Sequence, residues 1–154
     1  MPSPIAHEAS IPNPRLAAFA PLIGTWTTEG RHALLPGTTL HGRATFEWLD
    51  EGAFCCMRSK VDDPRFPAGI AIFGSDDEAG SFTMLYFDQR EVSRRYEVTI
   101  NAGVVRWERS SPTLSQRYVL TISADGDTAH SVGEMSRDGG AWEPDLELTY
   151  TRAQ

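Results

Sequence analysis

Apolar and polar residues alternate at every second position through most of this 154-residue chain. In one segment, Ala44, Phe46 and Trp48 are separated by single polar residues, which is the two-residue period of a half-buried strand. The same period recurs in ten segments, and it predicts strands at 24–32, 39–49, 53–62, 69–75, 81–88, 92–100, 103–110, 115–123, 128–136 and 142–152. The chain is therefore predicted to be all-β.

Short polar segments containing glycine separate several of these strands. Four of them supply residues that tolerate the positive φ angles of hairpin turns: 50–52, 101–103, 124–126 and 137–140. Consecutive strands joined by such turns form an antiparallel meander, and closing the meander into an up-and-down barrel removes both free edges. The sequence therefore predicts an antiparallel up-and-down barrel of about ten strands, whose interior is wider than that of an eight-stranded barrel.

Only one short helix is predicted, at the start of the folded part of the chain. Asn13 has the chemistry of an N-cap and Pro14 suits the first helical position, so residues 15–19 are expected to form one or two helical turns. Residues 1–13 are expected to be a flexible arm, and residues 14–154 a single barrel domain.

The composition is that of a globular protein, with 40% hydrophobic and 23% charged residues. The net charge of −7 repels phosphate backbones, and the basic residues are scattered. Neither nucleic acid nor a membrane is therefore expected as a partner. The first twenty residues lack the basic and apolar regions of a signal peptide, so a cytoplasmic location is expected.

Cys55 and Cys56 are the chain's two cysteines, and they are neighbours. Adjacent residues of a strand point to opposite faces, which disfavours a disulfide between them. No Cys-x-x-Cys or His-x-x-x-His spacing occurs, so neither a metal nor a cofactor is expected. The two residues are interpreted as small hydrophobic side chains in a reducing compartment.

Residues 22–26 place a Gly-x-Trp motif at the start of the first strand, directly after the short helix. This arrangement resembles the signature of the calycin superfamily, which includes lipocalins, fatty-acid-binding proteins and nitrobindin-like barrels. The resemblance implies that Trp26 plugs the closed end of the barrel, and that Arg152 on the last strand packs across its ring.

The resemblance extends from about residue 14 to the end of the chain. The blocks 82–88 and 94–98 are similar to those of bacterial lipocalin-like proteins of unassigned function. The resemblance implies a barrel with an interior ligand, but it implies no particular reaction.

Strand alternation also predicts which side chains line the interior. Ten residues are expected to contact a ligand there: Phe46, Trp48, Phe54, Arg58, Met84, Tyr86, Arg94, Tyr96, Trp107 and Tyr118. An interior arginine beside a tyrosine suits a carboxylate or enolate oxygen. The alternative interpretation is that the aromatic residues only form sheet and that the arginines point to solvent.

Three functions follow from these residues. The first is binding of a small hydrophobic molecule that bears a carbonyl or carboxylate group. The second is a cofactor-independent cyclase, isomerase or hydrolase, in which a buried Glu47, Glu97 or Glu134 acts as base and Arg58 or Tyr96 stabilises the developing charge.

The third is a haem-binding sensor of the nitrobindin type, with His130 as the candidate ligand. His32 and His41 form another candidate, a metal-binding pair across one hairpin. A homodimer is compatible with all three functions.

Overall fold

The computed structural model describes residues 8–154 and contains ten antiparallel strands. In chain order they are β1 (Gly24–His32), β2 (Leu40–Leu49), β3 (Phe54–Val61), β4 (Gly69–Ser75), β5 (Phe82–Asp88), β6 (Val92–Asn101), β7 (Val104–Arg109), β8 (Leu114–Ile122), β9 (Thr128–Arg137) and β10 (Trp142–Arg152). Each strand begins and ends within one residue of its predicted bounds, which confirms the all-β prediction.

The ten strands form one closed barrel. Each strand pairs with its neighbours in the chain, and β1 also pairs with β10, so the sheet has no free edge. Trp26 on β1 lies opposite Arg152 on β10 and opposite Ala44 on β2. Because side chains alternate between the two faces, this register places every second residue of each strand in the interior. The up-and-down barrel prediction is confirmed.

The predicted helix is a 3-10 helix from Pro14 to Leu22, and a second, one-turn 3-10 segment spans Asp50–Gly52. Asn13 is the N-cap, as predicted, and its side-chain oxygen accepts a hydrogen bond of 3.0 Å from the backbone N–H of Arg15. No helix within residues 8–154 is both long enough and apolar enough to cross a membrane.

The predicted arm, residues 1–13, lies partly outside the described residues, which begin at residue 8. Its last residue is joined to the barrel. The backbone N–H of Asn13 donates to the carbonyl oxygen of Gly52 at 2.9 Å, and its side-chain amide donates to the Ser75 hydroxyl at 2.8 Å. These bonds fix the start of the helix against the ends of β2 and β4.

The helix covers one end of the barrel, and Trp26 fills that end. The indole N–H of Trp26 donates to the carbonyl oxygen of Leu22 at 2.9 Å, and the side chain is 1% exposed. The guanidinium carbon of Arg152 lies 4.0 Å from the Trp26 ring centroid, while its nitrogens donate to the carbonyls of Pro21 and Ile23. A cation over an indole face contributes about 1–2 kcal/mol when partly desolvated. The plug and its arginine partner therefore lie as the Gly-x-Trp resemblance implies.

The interior differs between its two ends. At the closed end the core is apolar, with the ring of Phe19 centred 4.9 Å from that of Phe73 and 5.1 Å from that of Phe82. Toward the other end, where β1 finishes and β10 begins, the inward side chains are polar and several are only half-buried. This open half of the barrel holds the candidate site.

Candidate functional site

Three adjacent strands, β6 to β8, supply most of the polar residues in the open half. Cross-strand pairing brings Trp107 opposite Tyr118 and Arg109 opposite Gln116, all on the inner face. Two residues of β6, Arg94 and Tyr96, lie on the same face beside them, opposite Tyr86 and Met84 of β5. We call the following six residues the polar cup: Arg94, Tyr96, Trp107, Arg109, Gln116 and Tyr118.

Two aromatic rings of the polar cup are stacked. The rings of Trp107 and Tyr118 have centroids 5.2 Å apart and planes inclined by only 7°. The opposite neighbour of Tyr118 is Gly133 on β9, which has no side chain to displace the ring. Both rings are half-buried, so an apolar surface remains accessible at the open end.

A β-bulge in β10 brings a carboxylate into the interior beside these rings. The pairing of β10 with β9 shifts register between Pro144 and Glu147, where two residues of β10 oppose Gly133. Because of that extra residue, Asp145 and Leu146 both point inward. Proline lacks an N–H to donate to the ladder and is therefore found at such irregularities.

Asp145 accepts hydrogen bonds from three side chains, although its own side chain is only 8% exposed. His32 Nε2 donates to Oδ1 at 2.9 Å, while Gln116 Nε2 at 2.9 Å and the Tyr118 hydroxyl at 2.6 Å donate to Oδ2. The backbone N–H of Leu34 donates to His32 Nδ1 at 3.0 Å, which places the histidine proton on Nε2. Both ring nitrogens of His32 are therefore engaged within the protein.

The bond to Asp145 also sets the orientation of the Gln116 amide. Since Nε2 faces the carboxylate, Oε1 faces the other way and accepts from the Tyr96 hydroxyl at 2.6 Å and from Arg94 at 3.4 Å. Asp145 thus fixes the protons of both tyrosines in the polar cup, one directly and one through Gln116.

Burial and neighbouring charges perturb these tyrosines. Burial, followed by the charge of Asp145, raises the pKa of Tyr118 far above its ordinary value. Burial also raises the pKa of Tyr96, although Arg94 and Arg109 oppose the shift. Both phenols are therefore neutral donors at pH 7, while the arginines hold the positive charge of the polar cup.

Arg94 and Arg109 are cations on the inner face without a matching anion. Arg109 donates to the carbonyl oxygen of Leu114 at 3.0 Å, and Arg94 has the long contact to Gln116. Within residues 8–154, neither guanidinium is in an ion pair with a carboxylate. Both side chains are half-buried. The polar cup therefore presents two guanidinium groups without an ion-pair partner beside an aromatic surface.

A second cluster beside the polar cup is internally neutralised. The Tyr86 hydroxyl donates to Asp88 at 2.9 Å, and Arg90 donates to both oxygens of that carboxylate, at 3.2 and 2.8 Å. Burial alone would raise the pKa of Asp88, but the bonds from Arg90 and Tyr86 outweigh it and leave the pKa lowered. Asp88 is thus ionised and satisfied.

Seven of the predicted contact residues lie on the inner face, and three do not line it. The seven are Phe46, Met84, Tyr86, Arg94, Tyr96, Trp107 and Tyr118. The inward placement of Phe54 and Arg58 is wrong: Phe54 is 44% exposed, and Arg58 forms an outer-face ion pair of 2.9 Å with Glu47. Trp48 lies at the closed end and is 38% exposed.

The error on β3 comes from its sequence, which carries apolar residues on both faces. Pairing with β2 places Met57 opposite Phe46, so Cys55, Met57 and Ser59 face inward. Cys56, which shares the face of Phe54 and Arg58, therefore lies on the outer side of the barrel. A shift of one residue in the assumed facing inverts an entire strand.

The three glutamates considered as bases also lie on the outer face. Glu47 pairs with Arg58 and Glu134 with Arg117, each at 2.9 Å, and Glu97 is exposed. None of them is in a desolvated interior, which is what the catalytic interpretation required.

The histidine candidates are likewise corrected. His130 lies on the outer face, where its Nε2 is 3.0 Å from a carboxylate oxygen of Glu147. His32 faces inward and His41 outward, so the sheet separates them and they cannot form a metal-binding pair.

Four participants in the site are not among the ten predicted contact residues: Arg109, Gln116, His32 and Asp145. Simple alternation from Trp107 would have found Arg109, and alternation from Trp26 would have found His32. Asp145 breaks the alternation of β10, and the only signal for its bulge is the adjacent Pro144.

Comparison with family models and with curated proteins gives no match to this chain. Solved structures do match. The barrel is similar to the crystal structure of Rv2717c from M. tuberculosis, with a TM-score of 0.65 and 14% identity over 94% of this chain and 100% of that one. The two structures share the fold of a closed, ten-stranded antiparallel barrel.

A second solved structure with this fold is the S-type phycobiliprotein lyase CPES from Guillardia theta. Its TM-score is 0.59, with 11% identity over 88% of this chain and 90% of that one. At these identities the two similarities establish the shared fold, and the candidate site is described by its own residues.

Proposed function

We propose that this lipocalin-like protein binds a small molecule with a flat apolar body and an anionic or carbonyl oxygen in the open half of its barrel. One observation carries the proposal. Arg94 and Arg109 face inward without a carboxylate partner among residues 8–154, next to the stacked rings of Trp107 and Tyr118.

The charge of the polar cup favours an anionic group. A half-buried guanidinium loses part of its hydration, and an oxygen anion that accepts its N–H groups compensates for that loss. The chain as a whole carries a charge of −7, so the sign of the charge on Arg94 and Arg109 is opposite to that of the whole protein. An anion is therefore attracted to the polar cup although the net charge of the protein is negative.

The aromatic pair supplies the complementary apolar surface. Small-molecule sites are generally lined by apolar and aromatic side chains, with a few polar groups that fix orientation. Trp107 and Tyr118 offer such a surface, while Arg94 and Arg109 lie along the neighbouring edge. A ligand packed against the accessible part of this aromatic pair would bring its oxygen to the guanidinium groups.

Asp145 has a supporting role in this proposal. Its two oxygens already accept three hydrogen bonds, so they face protein donors rather than the ligand. Its effect is to hold Gln116 and Tyr118 in place, which preorganises the polar cup.

The other two functions lack support of this kind. The glutamates required for catalysis lie outside the barrel, and His130 points away from the interior. The phycobiliprotein lyase shows that a barrel of this fold occurs in a protein named for its action on a phycobiliprotein, which is compatible with a ligand-binding interior.

The test uses two dyes that differ by one charged group. The anionic probe 8-anilinonaphthalene-1-sulfonate and its uncharged analogue N-phenyl-1-naphthylamine are titrated separately and followed by fluorescence. We expect the wild-type protein to bind the sulfonate more tightly. Arg94→Met should weaken sulfonate binding by about tenfold and leave the neutral dye nearly unaffected.

The matched control is Arg106→Met. Arg106 lies on the same strand as Arg109 but is exposed on the outer face, so its replacement removes the same charge without touching the polar cup. Equal affinity of the wild-type protein for the two dyes, or equal loss in the Arg94 and Arg106 variants, would show that the polar cup does not select an anion.

A further inference from the structure

A second cationic surface lies on the outside of the barrel, on β2 and β3. Arg43 of β2 and Lys60 of β3 are directly opposite each other in the sheet, and both are exposed. Like charges at directly opposed positions destabilise a sheet. In the described part of the chain neither side chain is in an ion pair, although acidic residues outnumber basic ones by 21 to 14.

This cationic pair borders an open depression with a volume of about 610 Å³. The next cross-strand row runs from Arg58 to Ile70 and then to Phe87, so the apolar floor begins beside the cations. Phe87 is 42% exposed and Ile70 is half-buried, so apolar surface there faces the solvent. We call this depression, with Arg43, Lys60, Ile70 and Phe87, the outer groove.

The outer groove is separate from the polar cup. Its side chains lie on the opposite face of the sheet from Tyr86 and Arg94. The nearest carboxylate in the lining, Asp88, is held by Tyr86 and Arg90 and is not paired with the groove cations. The positive charge of the outer groove is therefore available to a ligand from solution.

We propose that the outer groove binds a free single-chain anionic amphiphile, with its head group at Arg43 and Lys60 and its apolar tail along Ile70 and Phe87. Two observations support this occupant. An anion between the opposed cations removes their repulsion. Phe87 lies two strands across and two residues along from Lys60, which is about 12 Å at a strand spacing of about 4.8 Å and a rise of about 3.4 Å per residue, and this suits an extended tail.

The first experiment maps decanoate binding by amide chemical shifts, at concentrations below micelle formation, with decanol as the uncharged match. We expect decanoate to shift the amides of β2 to β5 around the outer groove, and decanol to shift them much less. Lys60→Gln and Arg43→Gln should each weaken decanoate binding about fivefold to tenfold.

Two variants serve as controls. Arg106→Gln removes an exposed outer-face charge on β7, far from the outer groove, and Arg94→Met alters only the polar cup. Both should retain decanoate binding in the outer groove. Loss in Arg94→Met but not in Lys60→Gln would place decanoate in the polar cup and overturn this proposal, while leaving the proposed function intact.

Thermal stability provides an independent measurement. Because the opposed cations repel each other, Lys60→Gln should raise the Tm of the free protein by about 1–3 °C. If Lys60 instead stabilised the fold, its replacement would lower the Tm. Decanoate should raise the Tm of the wild-type protein more than that of the variant. A lower Tm in the variant would contradict the repulsion on which the proposal rests.

Vesicles distinguish the source of the anionic head group. The protein is sedimented with phosphatidylglycerol vesicles and, separately, titrated with decanoate. We expect binding to decanoate and no cosedimentation. Cosedimentation that Lys60→Gln abolishes, without any decanoate shift in the outer groove, would identify a bilayer as the occupant and reject the proposal.

Discussion

The ring of Tyr118 lies flat against the backbone of Gly133, its cross-strand neighbour. A Cβ at position 133 would overlap the ring, with Cζ of Tyr118 only 2.8 Å away. Trp107 stacks on the same tyrosine from β7. The tyrosine is therefore held between two strands, and the absence of a side chain at 133 is what allows its hydroxyl to reach Asp145.

This contact predicts the effect of Gly133→Ala. The added methyl group must push the ring away, which strains the core and breaks the bond to Asp145, so we expect a loss of about 2–3 kcal/mol in the free energy of unfolding. Urea denaturation measures it. Gly74→Ala is the control, because a Cβ at 74 meets nothing within 4 Å. In a Tyr118→Ala background, Gly133→Ala should lower the free energy of unfolding much less than it does in the wild-type protein. If the losses of the two single variants simply added up in the double variant, the direct contact would be contradicted.

The carboxylate of Asp145 is the centre of the polar network, and Asp145→Asn tests its charge. The amide keeps one acceptor oxygen but replaces the other with a donor, so one of His32, Gln116 and Tyr118 must face another donor. We expect a loss of about 2–3 kcal/mol in the free energy of unfolding, measured in urea.

The comparison for Asp145 is Glu143→Gln on the same strand, where an exposed carboxylate pairs with Arg137. Glu143→Gln should lower the free energy of unfolding by less than about 1 kcal/mol. If both variants were equally stable, the buried network would contribute no more than a surface ion pair.

Most of the barrel could be predicted from the sequence, because strand alternation and turn residues are local signals. Where only one face of a strand is apolar, as on β2 with Ala44 and Phe46, the facing could be predicted as well. On β3 both faces carry apolar residues, so the facing depends on pairing with β2, and Arg58 was assigned to the wrong side. Local sequence does not contain that information.

The centre of the site was the least predictable part. Asp145 points inward only because β10 has an extra residue opposite Gly133, which is a property of the pairing between two strands. Strict alternation from Leu148 assigns the aspartate to the outer face. A bulge of this kind redirects one side chain without altering the strand's bounds, so it leaves little trace in the pattern.

The protonation of buried groups predicts how stability depends on pH. Burial, with a smaller contribution from Cys56, raises the pKa of the Cys55 thiol from 9.0 to about 12. The tyrosines Tyr118 and Tyr150 are shifted upward as well, chiefly by burial. In each case the folded protein retains a proton that the unfolded chain releases at lower pH, so alkaline conditions favour unfolding.

The thiol contribution can be isolated between pH 9 and 10, before most unfolded tyrosines ionise. Stability linked to Cys55 is fully present below pH 9 and is lost as the pH rises toward about 12, with a slope of at most about 1.4 kcal/mol per pH unit. Urea unfolding in the presence of a reducing agent should show a shallower decline for Cys55→Ala than for the wild-type protein. Val98→Ala, which opens a comparable space at a fully buried position without a titratable group, should lower stability but keep the wild-type slope. Equal slopes in the two variants would mean that Cys55 ionises as readily in the folded barrel as in the unfolded chain, and thus that solvent reaches it.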